Sequence, residues 1–228
     1  MKTTTKYTNS AAVTIAYQVV GDADLDLLYI PGWFFNPEVW RDFAPIRRYL
    51  ERLTSFARVV AVEKRGFGMS DRLSPFNLPT VEERVADISA VADAEQLGPV
   101  PVMGPFEGGT LGLLWAAAEP QRVSSVVVID SFARLDWQRS IFGALAEGGQ
   151  DQAVAARALW DLFETGQSMW FCPDFAMSAA QDRQMSRAIR FSGQSHRDWS
   201  VGQARHRARR PRAARQRQSS GAHHPPSW

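Results

Sequence analysis

The sequence holds a single cysteine, Cys172, so no internal disulfide can form and no zinc site can be assembled from thiolates at the usual spacings. Histidine is nearly as scarce and is displaced to one end. All four, His196, His206, His223 and His224, stand at or after residue 196, so any chemistry drawn from the preceding residues proceeds without an imidazole. Nowhere do ~18 consecutive apolar residues occur, which excludes an ordinary membrane-spanning helix. Met1 to Ser10 is polar and threonine-rich, with no apolar stretch behind it that would read as a secretory leader. These absences predict a soluble, cytoplasmic protein that makes no contact with membrane.

Acids are missing from one segment. From Gln203 to Trp228 there are seven arginines and no aspartate or glutamate. The formal charge of +2 over 228 residues is therefore an average of two unlike parts: residues 1–202, with 19 of the 26 basic residues against all 24 acids, carry −5. With 45% apolar residues the chain can bury a sizeable core. The Arg/Ala/Pro/Gln/Ser/His composition beyond Ser195 cannot bury enough surface to fold alone, and is expected to be a disordered tail.

Apolar, β-branched runs alternate with helical patterns through the first 130 residues, the mark of a parallel α/β sheet covered on both faces. The runs are Val13 to Val20, Leu25 to Ile30, Arg58 to Val62, Val100 to Met103 and Val123 to Ile129. Val39, Trp40, Phe43, Ile46, Leu50 and Leu53 recur at helical spacing, with Arg41, Arg47, Arg48, Glu51 and Arg52 on the opposite face. Thr80 and Glu83 form a capping box that starts a second helix, expected to stop at Gly98-Pro99. A third, Gly109 to Ala118, is so apolar that it reads as buried. From Leu135 to Arg190 three amphipathic stretches read as a helical cap, whose aromatics, among them Trp137, Trp160 and Phe163, could line a pocket for an apolar small molecule. The division expected is a core over 1–134, a cap over 135–195 and a basic tail over 196–228.

The segment that should carry chemistry is Val100-Pro101-Val102-Met103-Gly104-Pro105-Phe106-Glu107-Gly108-Gly109. A strand enters a glycine-bounded turn and leaves as a helix, which is the shape of a nucleophile elbow. Small residues are required two before and two after the tip, as Gly104 and Gly108 are. The tip itself is Phe106.

With Arg65-Gly66-Phe67-Gly68-Met69-Ser70-Asp71 upstream and Pro120-Gln121-Arg122-Val123 downstream, the segment resembles the α/β-hydrolase superfamily. It is most similar to the esterase-like group often linked to nucleotide cyclase domains. Tyr29-Ile30-Pro31-Gly32-Trp33 and Asp130-Ser131-Phe132-Ala133-Arg134 sit where that group has similar stretches. The fold implied is a doubly wound, mostly parallel sheet, here incomplete at its C-terminal edge, with a helical cap.

The activity implied is acyl transfer, in which serine attacks an ester, histidine takes its proton, a carboxylate orients the histidine and two backbone N–H groups hold the oxyanion. The resemblance places those N–H groups at Trp33 and Glu107 and allows Asp130 as the acid. A phenyl ring at the nucleophile position has neither a lone pair to attack with nor a proton to give up. No histidine occupies the family's place for the base. The Glu107 side chain, following the tip, is expected to point away from the attack site. No cofactor and no metal is called for.

The expectation is a truncated, catalytically impaired esterase-lineage protein, or pseudoenzyme. The alternatives are a non-catalytic small-molecule or protein-binding module, and a nucleic-acid contact through the arginine-rich tail. Because the last part of the family's sheet is not supplied, the fifth run, Val123 to Ile129, is expected to lie at an exposed edge open to self-association.

Overall fold

The computed structural model describes residues 3–32, 36, 42–73, 79–132 and 178–192. The expected tail, Trp33, His196 and all of the expected cap except 178–192 lie outside the described residues. Six strands form one mixed sheet in the order β1-β2-β4-β3-β5-β6. They are β1 Thr3–Ser10, β2 Val13–Val20, β3 Asp26–Tyr29, β4 Arg58–Val62, β5 Val100–Pro105 and β6 Val123–Ile129. β1 with β2 and β2 with β4 pair antiparallel, while β4 with β3, β3 with β5 and β5 with β6 pair parallel.

Four helices accompany them: α1 Ala44–Thr54, α2 Val81–Ala94, α3 Glu107–Ala118 and α4 Ala179–Ser192. The central strand β4 shows why helices lie on both faces. Val60 and Val62 turn to one side, where Ile88 and Val91 of α2 and Leu111 and Trp115 of α3 cover them. Val59 and Ala61 turn to the other, against Leu50 and Leu53 of α1. A strand buried on both sides reads as a continuous apolar run, as Arg58 to Val62 does after its first residue.

The sheet departs from expectation at its start. Thr3–Ser10, polar and not among the strand runs read from the sequence, is an edge strand paired along its whole length with β2. Threonine is β-branched and suits a strand, and an edge position tolerates its polarity. This end is tied by Glu95, just beyond α2, whose carboxylate accepts from Lys6 Nζ at 2.8 Å, Tyr17 Oη at 2.9 Å and Arg58 Nη1 at 2.9 Å. Burial pushes the Glu95 carboxyl up, but those donors outweigh it and hold it below its ordinary value. Burial, reinforced by the bond to Glu95, pushes the Tyr17 phenol well above its usual range.

Two expectations about the helices are corrected. The capping box forms, with Glu83 N donating to Thr80 Oγ1 at 3.2 Å and Thr80 N to Glu83 Oε2 at 2.7 Å. The turn that ends α2, however, falls before Gly98. Gln96 takes the left-handed conformation at φ 54°, Leu97 N bonds Ala92 O at 2.9 Å and Gln96 N bonds Asp93 O at 3.0 Å, which is a Schellman cap built on glutamine. Second, α3 is not wholly buried. Gly108, Gly109, Leu111, Gly112 and Trp115 face inward, but Leu113 is 49% and Leu114 39% exposed.

β6 ends the sheet among the described strands, and Val127 and Val128 on it are exposed. Among the described residues no helix is long and apolar enough to cross a membrane.

Candidate active site

β5 delivers the chain to the sheet's C-terminal end, and α3 carries it away behind the sheet. Phe106 makes the reversal alone, at φ 51° and ψ −126°, a region that side chains bearing a Cβ rarely enter. Its neighbours must be small for this path to close. A Cβ on Gly104 would run into the backbone of Gly108, and one on Gly108 into the carbonyl of Ile30. Gly109 has the same constraint from Ser131 Oγ. The tip is anchored laterally, because Phe106 N donates to Ile129 O at the end of β6, 2.9 Å away.

The strand on the other side also leans in. Ile30 N bonds Met103 O at 2.9 Å, and the chain leaving β3 passes so close to the elbow that a Cβ at Gly32 would lie 2.7 Å from Pro105 O and 3.0 Å from the Phe106 ring. Phe106 is partly buried and stands against Gly32. Glu107 opens α3, where the first four N–H groups of a helix have no acceptor within it and the helix dipole is positive. That is the chemistry an oxyanion donor requires, and it depends on the backbone alone.

The Glu107 side chain turns to other work. Its Oε1 lies 3.1 Å from Lys64 Nζ and accepts from Arg84 Nη1 at 2.9 Å. Lys64 is buried, so desolvation pulls its ammonium below the ordinary lysine range, and the Glu107 charge opposes that shift. The ammonium also sits 4.8 Å from the centre of the Phe67 ring. These ion pairs tie the Glu107 carboxylate to the loop after β4 and to α2.

Asp130 immediately follows the Ile129 carbonyl that anchors Phe106, so it shares that end of the sheet with the elbow. It is exposed and left-handed at φ 49°, as aspartate in a turn readily is. Behind it, Thr110 Oγ1 donates to Phe132 O at 2.6 Å and holds the segment against α3.

The glycine-rich loop after β4 is a structural bracket of the same end. Arg65 grips Asp87 of α2 through Nε at 2.6 Å and Nη2 at 2.5 Å, and Gly66 and Gly68 take φ of 84° and 50°. Asp71 Oδ2 accepts from Thr14 N at 2.7 Å, and Ser70 Oγ is buried between Ala16 N and Glu63 O. This serine is committed to the backbone. Lys64 and Arg84 went unread in the sequence because they meet Glu107 only through tertiary approach, and no local pattern announces that.

The geometry agrees with comparisons to known proteins. A family model described as the alpha/beta hydrolase family matches residues 27–225. The 3-oxoadipate enol-lactonase 1 of Acinetobacter baylyi is 28% identical over 168 residues, 74% of this chain and 58% of that protein. The rhodomycin D methylesterase DnrP of Streptomyces peucetius is 30% identical over 131 residues, 55% of this chain and 41% of its own. The chain thus spans about half the length of the curated relatives it matches.

Among solved structures, a bromoperoxidase from Bacillus anthracis superposes with a TM-score of 0.62 at 16% identity, over 86% of this chain and 71% of that one. Sheet order, elbow and family match agree, and the chain belongs to the alpha/beta hydrolase family.

Proposed function

We propose that this chain is an esterase-lineage α/β-hydrolase that does not hydrolyse esters through a nucleophilic triad. The observation that carries the reading is Phe106 itself, held at φ 51° at the elbow tip where a nucleophile would stand. Removing the serine alone costs about 10⁶ in rate in a serine hydrolase. The nearest carboxylate in sequence, Glu107, is engaged by Lys64 and Arg84 and is not offered to a substrate. The names of the relatives, a lactonase and a methylesterase, support carbonyl esters as the ligand class of the lineage. What this protein keeps is the frame that would hold such a carbonyl, with the attacking group replaced by an apolar ring.

The test is turnover of short aryl esters by the purified protein, alongside labelling with a fluorophosphonate that reports an activated serine. Hydrolysis at the rate of buffer and no labelling are expected. Saturable turnover that disappears in Glu107→Gln or Asp130→Asn would overturn the proposal. Phe106→Ser is the informative partner: with no histidine among the described residues to act as base, it too is expected to stay inactive.

A further inference from the structure

Two cations share one carboxylate oxygen beside the elbow. Lys64 Nζ at 3.1 Å and Arg84 Nη1 at 2.9 Å both meet Glu107 Oε1, so the trio sets two positive charges against one negative and is left with one in excess. Lys64 needs that carboxylate, because an ammonium only 8% exposed is costly without a counter-charge. Arg84 is the surplus member. It disfavours the charged form of Lys64, and as the fourth residue of α2 it stands at the end of the helix where the dipole disfavours a cation. Neither the buried pair nor the helix accounts for an arginine at this place.

Arg84 also has donors to spare. Its side chain is 37% exposed, Nη1 donates to Glu107, and Nε and Nη2 have no partner among the described residues. Arg65, the next guanidinium along this end of the sheet, is by contrast spent: Nε and Nη2 both donate to Asp87, and Glu83 lies 3.6 Å from Nη1.

A planar fork with one side open and one uncompensated charge suits a carboxylate, which accepts from two donors at once and restores neutrality, whereas a phosphate dianion would overshoot it. The neighbours suit a ligand that is otherwise apolar. The Phe67 ring centre lies 4.8 Å from Lys64 Nζ, and Phe106, adjoining Glu107 in the chain, stands against Gly32. We propose that Arg84 binds the carboxylate of an apolar ligand whose other end lies at Phe106, the fitting class being a half-ester of a dicarboxylic acid. The ester end rests on the reading of this chain as an esterase-lineage protein that holds a carbonyl without cleaving it. The carboxylate end stands on the trio alone.

The experiment is isothermal titration calorimetry of the full chain with the monomethyl esters of succinic, glutaric, adipic and suberic acids, each beside its dimethyl ester, and with inorganic phosphate. The half-ester of best length is expected to bind about tenfold or more tightly than its diester, a preference lost in Arg84→Gln. Arg84→Lys keeps the charge without the fork and should retain only part of it. An arginine of merely structural use would leave the ratio of half-ester to diester unmoved. Absence of saturable binding by every half-ester overturns the proposal, as does a preference unchanged in Arg84→Gln, or phosphate binding as tight as that of the half-ester. Release of methanol from a bound half-ester, with the preference still lost in Arg84→Gln, would uphold the carboxylate site and sink the reading of the chain as non-hydrolysing.

Discussion

Lys64 Nζ and the Glu107 carboxylate, 3.1 Å apart, join the loop after β4 to the first residue beyond the elbow tip. The lysine is almost fully buried and the glutamate is a quarter exposed, so the pair is placed to matter for the elbow's stability. Glu107→Gln leaves an ammonium in the interior beside Arg84. The expected cost is about 2–3 kcal/mol in urea unfolding, below the ~3–5 of a fully buried pair because water reaches the glutamate. Adding Lys64→Met should recover most of it, and a single-variant loss below about 0.5 kcal/mol would show that the pair is solvated.

The elbow's shape should fail before its chemistry can be asked about. Gly104→Ala and Gly108→Ala each drive a methyl group into backbone, against Gly108 and the Ile30 carbonyl, with no flexible side chain to yield. A loss of about 3 kcal/mol or more is expected, read as a fall in the thermal midpoint. Gly98→Ala is the control, since a Cβ there meets nothing within 4 Å.

Gln96→Gly should stabilise the protein. The exposed glutamine holds a left-handed conformation that costs an L residue roughly 1–2 kcal/mol, while glycine adds back some unfolded-state entropy. A net gain of about 0.5–1 kcal/mol is expected from chemical denaturation. A loss would mean that the glutamine side chain contributes to the cap.

Glu95 gives the fold a pH dependence. Its carboxyl is held below the ordinary 4.5 in the folded chain, so its stabilisation is present above that value and is lost as pH falls through the depressed folded value. The urea midpoint measured downward from pH 7 should decline below about pH 4.5, and more shallowly in Glu95→Gln. Equal slopes in the two proteins would assign the acid sensitivity elsewhere.

Much of this arrangement was legible in the sequence where a local pattern and a burial pattern coincide. Arg58 to Val62 is apolar because both its faces are covered, and Thr80 with Glu83 is a contact between residues three apart. The elbow was legible because glycine at 104 and 108 answers a backbone demand that holds whatever residue stands at the tip. Thr3–Ser10 was missed because an exposed edge strand needs no apolar alternation. Gly98 misled because the left-handed turn had already been made by Gln96. Leu113 and Leu114 were read as buried because composition registers an apolar surface without saying whether the same chain covers it. Glu107 with Lys64 and Arg84 spans 43 and 23 positions, beyond any local reading.

The conformation of Phe106 has a use apart from its history. Since the bend at φ 51° is held by glycines before and after it and by the bond to Ile129, the backbone fixes where the residue at the tip stands. Whatever side chain is installed at position 106 is carried to the same point, above the start of a helix and beside Gly32. A thiol, a metal-chelating unnatural amino acid or a reporter group could be mounted there without rebuilding the scaffold.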